Sequence, residues 1–197
     1  FQTHTWLRFN YVEEGYEAVY ALDLYEPVLM LEELGDVLMQ VAFHTCMEQE
    51  TGRFTWEQVC DGVCQKLIER HPNIFGTQPG YEGITDWDAL KNKEKGRRTL
   101  ADDLESVPRA MPALMRAAKL QKRAARHGAA LQGADAAALA DAAENLQTAQ
   151  PASAQEEQPV GELLFAAANL ARQAGVDPEQ ALQKANEAFC TAAGPVA

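Results

Sequence analysis

Across residues 11–24 and again across 28–50, apolar side chains return every three or four positions, the spacing that lines one face of an α-helix. Tyr25, Glu26 and Pro27 interrupt the pattern, so the two segments are expected to fold as an antiparallel hairpin. Gly52 closes the second helix. Thr55 is placed to cap a third, in which Val59, Val63, Leu67 and Ile68 form a stripe expected to be buried. That helix should stop at His71-Pro72, because proline disfavours helical geometry in the residue before it.

A loop containing Gly and Pro is expected over residues 73–83. Thr85 and Asp88 then have the spacing of a capping box, opening a helix through Trp87, Leu90 and Lys91. Residues 102–112 read as a connector with two prolines, followed by a basic helix over 113–127 that Gly128 ends. An Ala-rich segment, 129–149, leads into a polar Pro/Ser/Gln stretch, 150–159, with the composition of a linker. Two last helices are predicted, one over about 160–174 and one starting at Asp177-Pro178, where Asp caps and Pro takes the first helical position. Nothing alternates with a period of two for long enough to make a sheet, and the fold class is all-α.

Composition narrows the function classes. The 197 residues are 47% hydrophobic and 23% charged, enough for one or two compact domains with real cores. No stretch has the roughly 18 apolar residues of a membrane helix, so no membrane partner is expected. Phe1 to Asn10 lacks the basic-then-apolar order of a signal peptide, and the absence of an initiator Met suggests an incomplete amino terminus. Cys46, Cys60, Cys64 and Cys190 are few and unevenly spread, which suits a reducing, cytoplasmic setting. Cys60 and Cys64 have the spacing of one helix face, not of a zinc knuckle. Seventeen basic against 29 acidic residues give a net charge of -12, which argues against a nucleic-acid partner.

That acidity is concentrated usefully in the first hairpin. Glu14 with Glu17, and Glu33 with Asp36, lie three apart and share a helix face, so a short turn lets the two pairs face each other. Converging carboxylates repel unless a cation compensates them. Magnesium fits, since it takes hard oxygen ligands at about 2.0–2.1 Å and keeps waters that phosphates replace. Glu13 and Glu32 sit about 100° round their helices, as ligands to a second ion, outer partners or a base for water. An ordinary solvated acidic face has the same spacing, and residues alone leave both readings open. Lys66 and Arg70, four apart, offer cations to a phosphate or form a plain exposed pair. His44, in an apolar run, and His71, before a proline, read as packing or capping residues.

The segment Glu32-Glu33-Leu34-Gly35-Asp36 through Phe43-His44, then Glu50-Thr51-Gly52-Arg53-Phe54 and Lys66 through Gly76, closely resembles the MazG family of nucleoside triphosphate pyrophosphohydrolases. Gln2-Thr3-His4, Glu13-Glu14-x-x-Glu17, Trp87-x-x-x-Lys91 and the run from Val107-Pro108-Arg109 to Lys122-Arg123 extend the match over nearly all of residues 1–128. The resemblance implies an all-α, metal-dependent enzyme that splits a nucleoside triphosphate into monophosphate and pyrophosphate. Carried over by position, the Mg2+ ligands are Glu14, Glu17, Glu33 and Asp36, with Mn2+ as a substitute, and Glu13 or Glu32 orients the attacking water. Lys66 and Arg70 face phosphates; Trp87 stacks on the base and Lys91 reaches a phosphate, although a core Trp with a snorkelling Lys is the plain alternative. A homodimer is expected, because a hairpin with one or two more helices leaves an apolar face uncovered.

The tail looks like a second, eroded copy of the same repeat. Asp141 and Glu144 keep the first acidic spacing, but Pro159 stands where Glu33 would, Glu162 where Asp36 would, and the last helix lacks the basic pair. The expected organisation is therefore a first repeat over 1–100, a connector and basic helix over 101–128, and a degraded, truncated repeat over 129–197. The basic helix, with Arg116, Lys119, Lys122, Arg123 and Arg126, reads as a solvated face balancing Asp102, Asp103 and Glu105. A catalytically silent helical protein that binds a nucleotide or a protein partner is the rival reading, and a pyrimidine-selective all-α triphosphatase is a third.

Overall fold

The computed structural model of the chain describes residues 3–75, 95–96, 98–148 and 157–194. The expected cap at Thr85 and the helix carrying Trp87 and Lys91 lie outside these residues. Regular structure among the described residues is entirely helical, as the patterning requires. The chain divides into two compact units, Phe1–Thr85 and Asp86–Ala197.

The first unit is a hairpin with a third helix on it. Helix α1 spans His4–Leu24 and starts well before Tyr11, because the Thr3 hydroxyl accepts the Trp6 N–H at 3.3 Å and nucleates the first turn. Tyr25 then takes the left-handed conformation at φ 54, and the Glu26 carboxylate accepts the Leu29 N–H at 2.7 Å to open α2, Pro27–Glu50. Pro27 occupies the first helical position, where its missing N–H costs nothing. Helix α3, Trp56–Arg70, opens on a reciprocal box: Gln58 N–H donates to the Thr55 hydroxyl at 3.4 Å, and Thr55 N–H to the Gln58 side chain at 2.9 Å. Pro72 ends α3 as expected, but a short helix, α4, Pro72–Phe75, follows at once.

Small residues make the seam. Ala18 and Ala21 are buried on α1 with Leu7, and Gln40, Thr45 and Glu48 are buried on α2, which packs against α1. The expected buried stripe of α3 is not buried: Val63, Leu67 and Ile68 are exposed, and no residue of α3 is enclosed. Three helices in two layers cover only one side of that stripe.

A polar clasp joins the start of α1 to the end of α2. His4 Nδ1 lies 2.6 Å from His44 Nδ1 with the rings stacked, and His4 Nε2 lies 2.5 Å from a Glu48 carboxylate oxygen. The other Glu48 oxygen pairs with Arg53 Nε at 2.7 Å. Burial, together with the nearby charge of His4, holds the His44 pKa below its ordinary value.

The second unit contains α5, Leu100–Glu105; α6, Ala113–Arg126; α7, Ala136–Thr148; α8, Glu157–Gln173; and α9, Pro178–Ala193. Part of the expected connector is thus helical, since Thr99 and Asp102 cap α5 reciprocally, each backbone N–H donating to the other side chain at 3.1 Å. The expected linker is likewise shorter: Pro159 lies in the first turn of α8, where a proline is tolerated. Asp177 caps α9 with Pro178 first, as predicted.

Polar side chains tie this unit together. Asp103, 1% exposed, meets Arg123 Nη1 at 3.0 Å, Arg126 Nη2 at 2.9 Å and His127 Nε2 at 3.2 Å. Arg123 also donates to the Asp103 carbonyl at 2.6 Å and to the Ser106 hydroxyl, so it fixes α5 against α6. Gln121 donates to the Phe165 carbonyl at 2.7 Å and Asn169 to that of Ala134 at 2.5 Å, both from buried positions. The basic helix is therefore no uniformly solvated face, because Arg123 is itself buried. All four cysteines are free and exposed, and no helix among the described residues is long and apolar enough to cross a membrane.

Two outcomes follow from these contacts. Asp103→Ala strands the buried Arg123 guanidinium without its counter-charge and should cost about 3–5 kcal/mol in urea unfolding. Because folded His44 resists protonation, the unfolded chain binds more protons below about 6.5, so acidification through that value should lower stability. Replacing His44 by Gln should flatten the fall, read as urea midpoints at successive pH values.

Candidate metal centre

The hairpin brings three acidic side chains together. Glu14 and Glu17 from α1 and Glu33 from α2 each offer a carboxylate oxygen, and these oxygens all lie within 4.8 Å of one another. The geometry follows from spacing: residues three apart stack on one face of α1, and the short turn at Tyr25 and Glu26 returns α2 with Glu33 opposite. Glu14 and Glu33 are half-buried, and Glu17 is exposed.

Electrostatics mark the same place. Partial burial, then the charges of Asp36 and Glu17, push the Glu14 pKa above the usual carboxylate range, while a hydrogen bond from Gln40 opposes the shift. Glu33 is raised too, by partial burial and by the charges of Glu32, Asp36 and Glu14. Asp36 thus acts on both carboxylates without joining the tight group of three. The donor set is all oxygen, crowded and self-repelling, which fits a hard divalent cation.

Gln40 was not singled out by sequence. Its side-chain nitrogen reaches a Glu14 oxygen at 3.4 Å, and it is buried at the seam, with its own Oε1 buried and unpaired among the described residues. The available signal was its position four residues beyond Asp36, on the same face of α2. The clasp of His4, His44 and Glu48 was equally unread as a unit.

The other expected site residues fall as follows. Glu13 and Glu32 are exposed beside Glu14 and Glu33. Lys66 is exposed and Arg70 half-buried on α3, and Lys66 makes no ion pair among the described residues. Trp87 and Lys91 lie outside the described residues. In the second unit Asp141, Glu144 and Glu162 are all exposed, and no comparable acidic group forms there among the described residues.

A helical hairpin that gathers carboxylates from both arms defines a class of acidic, cation-binding α-helical sites, and comparison with known proteins gives the family. The model of the MazG nucleotide pyrophosphohydrolase domain matches residues 2–75, which hold all of α1 to α4. A Thermotoga maritima protein described as nucleoside triphosphate pyrophosphohydrolase/pyrophosphatase MazG is 38% identical over 190 residues, covering 95% of this chain and 73% of that protein. An Escherichia coli nucleoside triphosphate pyrophosphohydrolase is 37% identical over 187 residues, covering 90% of this chain and 71% of its own length. One from Mycobacterium tuberculosis is 36% identical over 131 residues, 64% of this chain and 39% of its own. The chain belongs to the MazG family.

The raised carboxylates have a thermodynamic consequence. Since folded Glu14 and Glu33 hold protons to higher pH than in the unfolded chain, the cation-free protein should lose stability as pH rises through and above the usual carboxylate range. Glu33→Gln should remove much of that loss, so with EDTA present its melting temperature should gain on the parent's between pH values of about 4 and 7.

Proposed function

We propose that this chain is a nucleoside triphosphate pyrophosphohydrolase, converting a triphosphate and water into the nucleoside monophosphate and pyrophosphate. The observation that carries the reading is the convergence of Glu14, Glu17 and Glu33 within 4.8 Å in a chain of the MazG family. In this reading Glu14, Glu17, Glu33 and Asp36 hold Mg2+, for which Mn2+ substitutes. The bound cation neutralises phosphate charge and makes a water more acidic. The chain's own groups do the rest. Glu13 or Glu32 accepts a proton from the water and orients it toward the α–β anhydride, Lys66 and Arg70 bind phosphate oxygens, and Trp87 and Lys91 contact base and phosphate. Gln40 steadies Glu14 at the seam.

The same reading includes a homodimer. Trp6 is 61%, Tyr20 61% and Leu31 77% exposed on the hairpin, apolar side chains that a second copy would cover. A second copy covering that surface would also give the α3 stripe its missing layer. The second unit is read as an eroded repeat: α7 packs on α8 as α1 packs on α2, but Pro159 replaces a ligand and the remaining acids are exposed. Its service is support of the fold, and the protein's role is house-cleaning of the cytoplasmic nucleotide pool.

The test is pyrophosphate release from a panel of ribo- and deoxyribonucleoside triphosphates with Mg2+. Glu33→Ala should lower the rate about 100-fold or more, the upper end of what loss of an outer-shell partner costs, whereas Asp141→Ala with Glu162→Ala should leave it intact. Mg2+ should raise the melting temperature of the parent and not of Glu33→Ala, by mass action. No release from any triphosphate by folded, Mg2+-loaded protein would overturn the reading and favour a silent nucleotide- or protein-binding role.

A further inference from the structure

Five cations on α6 are more than the fold consumes. Arg123 and Arg126 are taken by Asp103, in the ion pairs that join α5 to α6. Arg116, half-buried near the start of α6, is different: it makes no ion pair among the described residues, and its Nε, like that of Arg123, is buried without a hydrogen-bond partner. A buried, charged donor without a partner is a costly arrangement in a protein interior, and in a protein of net charge -12 it stands against the general balance.

Arg116 lines a cavity of about 430 Å³, within the range of small-molecule sites. Leu104 and Glu105 come from the end of α5, Val107 and Arg109 from the loop after it, and Arg116 and Leu120 from α6. Two guanidinium groups thus share a cavity with three apolar side chains and one carboxylate. Arg109 is exposed and, like Arg116, makes no ion pair among the described residues. Glu105, also exposed, forms no ion pair with either arginine among the described residues.

We propose that this cavity is a binding site for a phosphate-bearing small molecule no larger than a mononucleotide, with the phosphate on Arg109 and Arg116. Planar guanidinium groups match phosphate oxygens in geometry as well as charge, and the ligand supplies the partner that Arg116 Nε lacks. The half-buried Leu104 and Leu120 offer apolar contact to a base, and Glu105 an acceptor to ribose hydroxyls. The site lies wholly within the second unit, uses none of the acidic hairpin, and stands whether or not the hydrolase reading holds.

Isothermal titration of the full chain, with EDTA and at low salt, tests it with adenosine monophosphate, inorganic pyrophosphate and adenosine. The expected result is saturable binding of a phosphate-bearing probe at one site per chain, weakened roughly tenfold or more by Arg116→Gln. Arg109→Ala, at an exposed position that folding does not need, should weaken it in the same direction, and Glu33→Gln should leave it unchanged. Adenosine monophosphate binding more tightly than pyrophosphate identifies a mononucleotide as occupant; equal binding identifies a free polyphosphate. Adenosine binding as well as its monophosphate, no saturable binding of either phosphate probe, or binding that survives both arginine replacements or vanishes with Glu33→Gln, would overturn the proposal.

Discussion

The close approach of α1 and α2 is the constraint on which the first unit depends. Ala18 and Ala21 are buried small residues on α1, and the pairing of the two arms brings Glu14, Glu17 and Glu33 within 4.8 Å of one another. Those carboxylates push back, which is visible in the raised pKa values of Glu14 and Glu33. The hairpin is held against that repulsion at both ends: by the turn and Glu26 cap at one, and by the contacts among His4, His44, Glu48 and Arg53 at the other. Carboxylates that repel one another in this way would be relieved by a bound cation.

The second unit meets a similar topological problem with a different chemistry. Its α7 and α8 also pack as a pair, with Ala142, Ala166 and Ala168 buried, but among the described residues no group of converging acids faces across them. Order comes instead from buried polar groups that have specific partners on other elements. Asp103 specifies how α5 meets α6, Gln121 how α6 meets α8, and Asn169 reaches back to the carbonyl before α7. Such groups make misregistered packing costly, since any slip strands a buried donor. Arg116 differs from Arg123 and Arg126 in making no ion pair among the described residues, and it lines the cavity proposed to hold its partner.

What could be read in the chain was local. The helices on either side of Pro27, the box at Thr55 and Gln58, and the Asp177-Pro178 start are visible because caps and prolines act on their immediate neighbours. The carboxylate pairs were legible for the same reason, as one-turn spacing is a property of a single helix. Misreadings arose where a local signal had to be weighed against packing: Val63, Leu67 and Ile68 have a buried pattern yet are exposed, and Pro159 resembles a linker residue yet sits in the first turn of α8.

Sequence by itself determined the all-helical class, the stops at Tyr25-Glu26-Pro27 and His71-Pro72, the starts at Thr55 and Asp177-Pro178, and the faces on which acids and bases lie, because these depend on neighbours within about four residues. Tertiary structure alone decided which faces meet. It set Glu33 against Glu14 and Glu17, joined His4 to Glu48 at the open end of the hairpin, and buried Arg123 on Asp103 while leaving Arg116 with no ion pair among the described residues. Those outcomes turn on distances between residues far apart in the chain, set by how small residues let helices approach and how buried polar groups find one another.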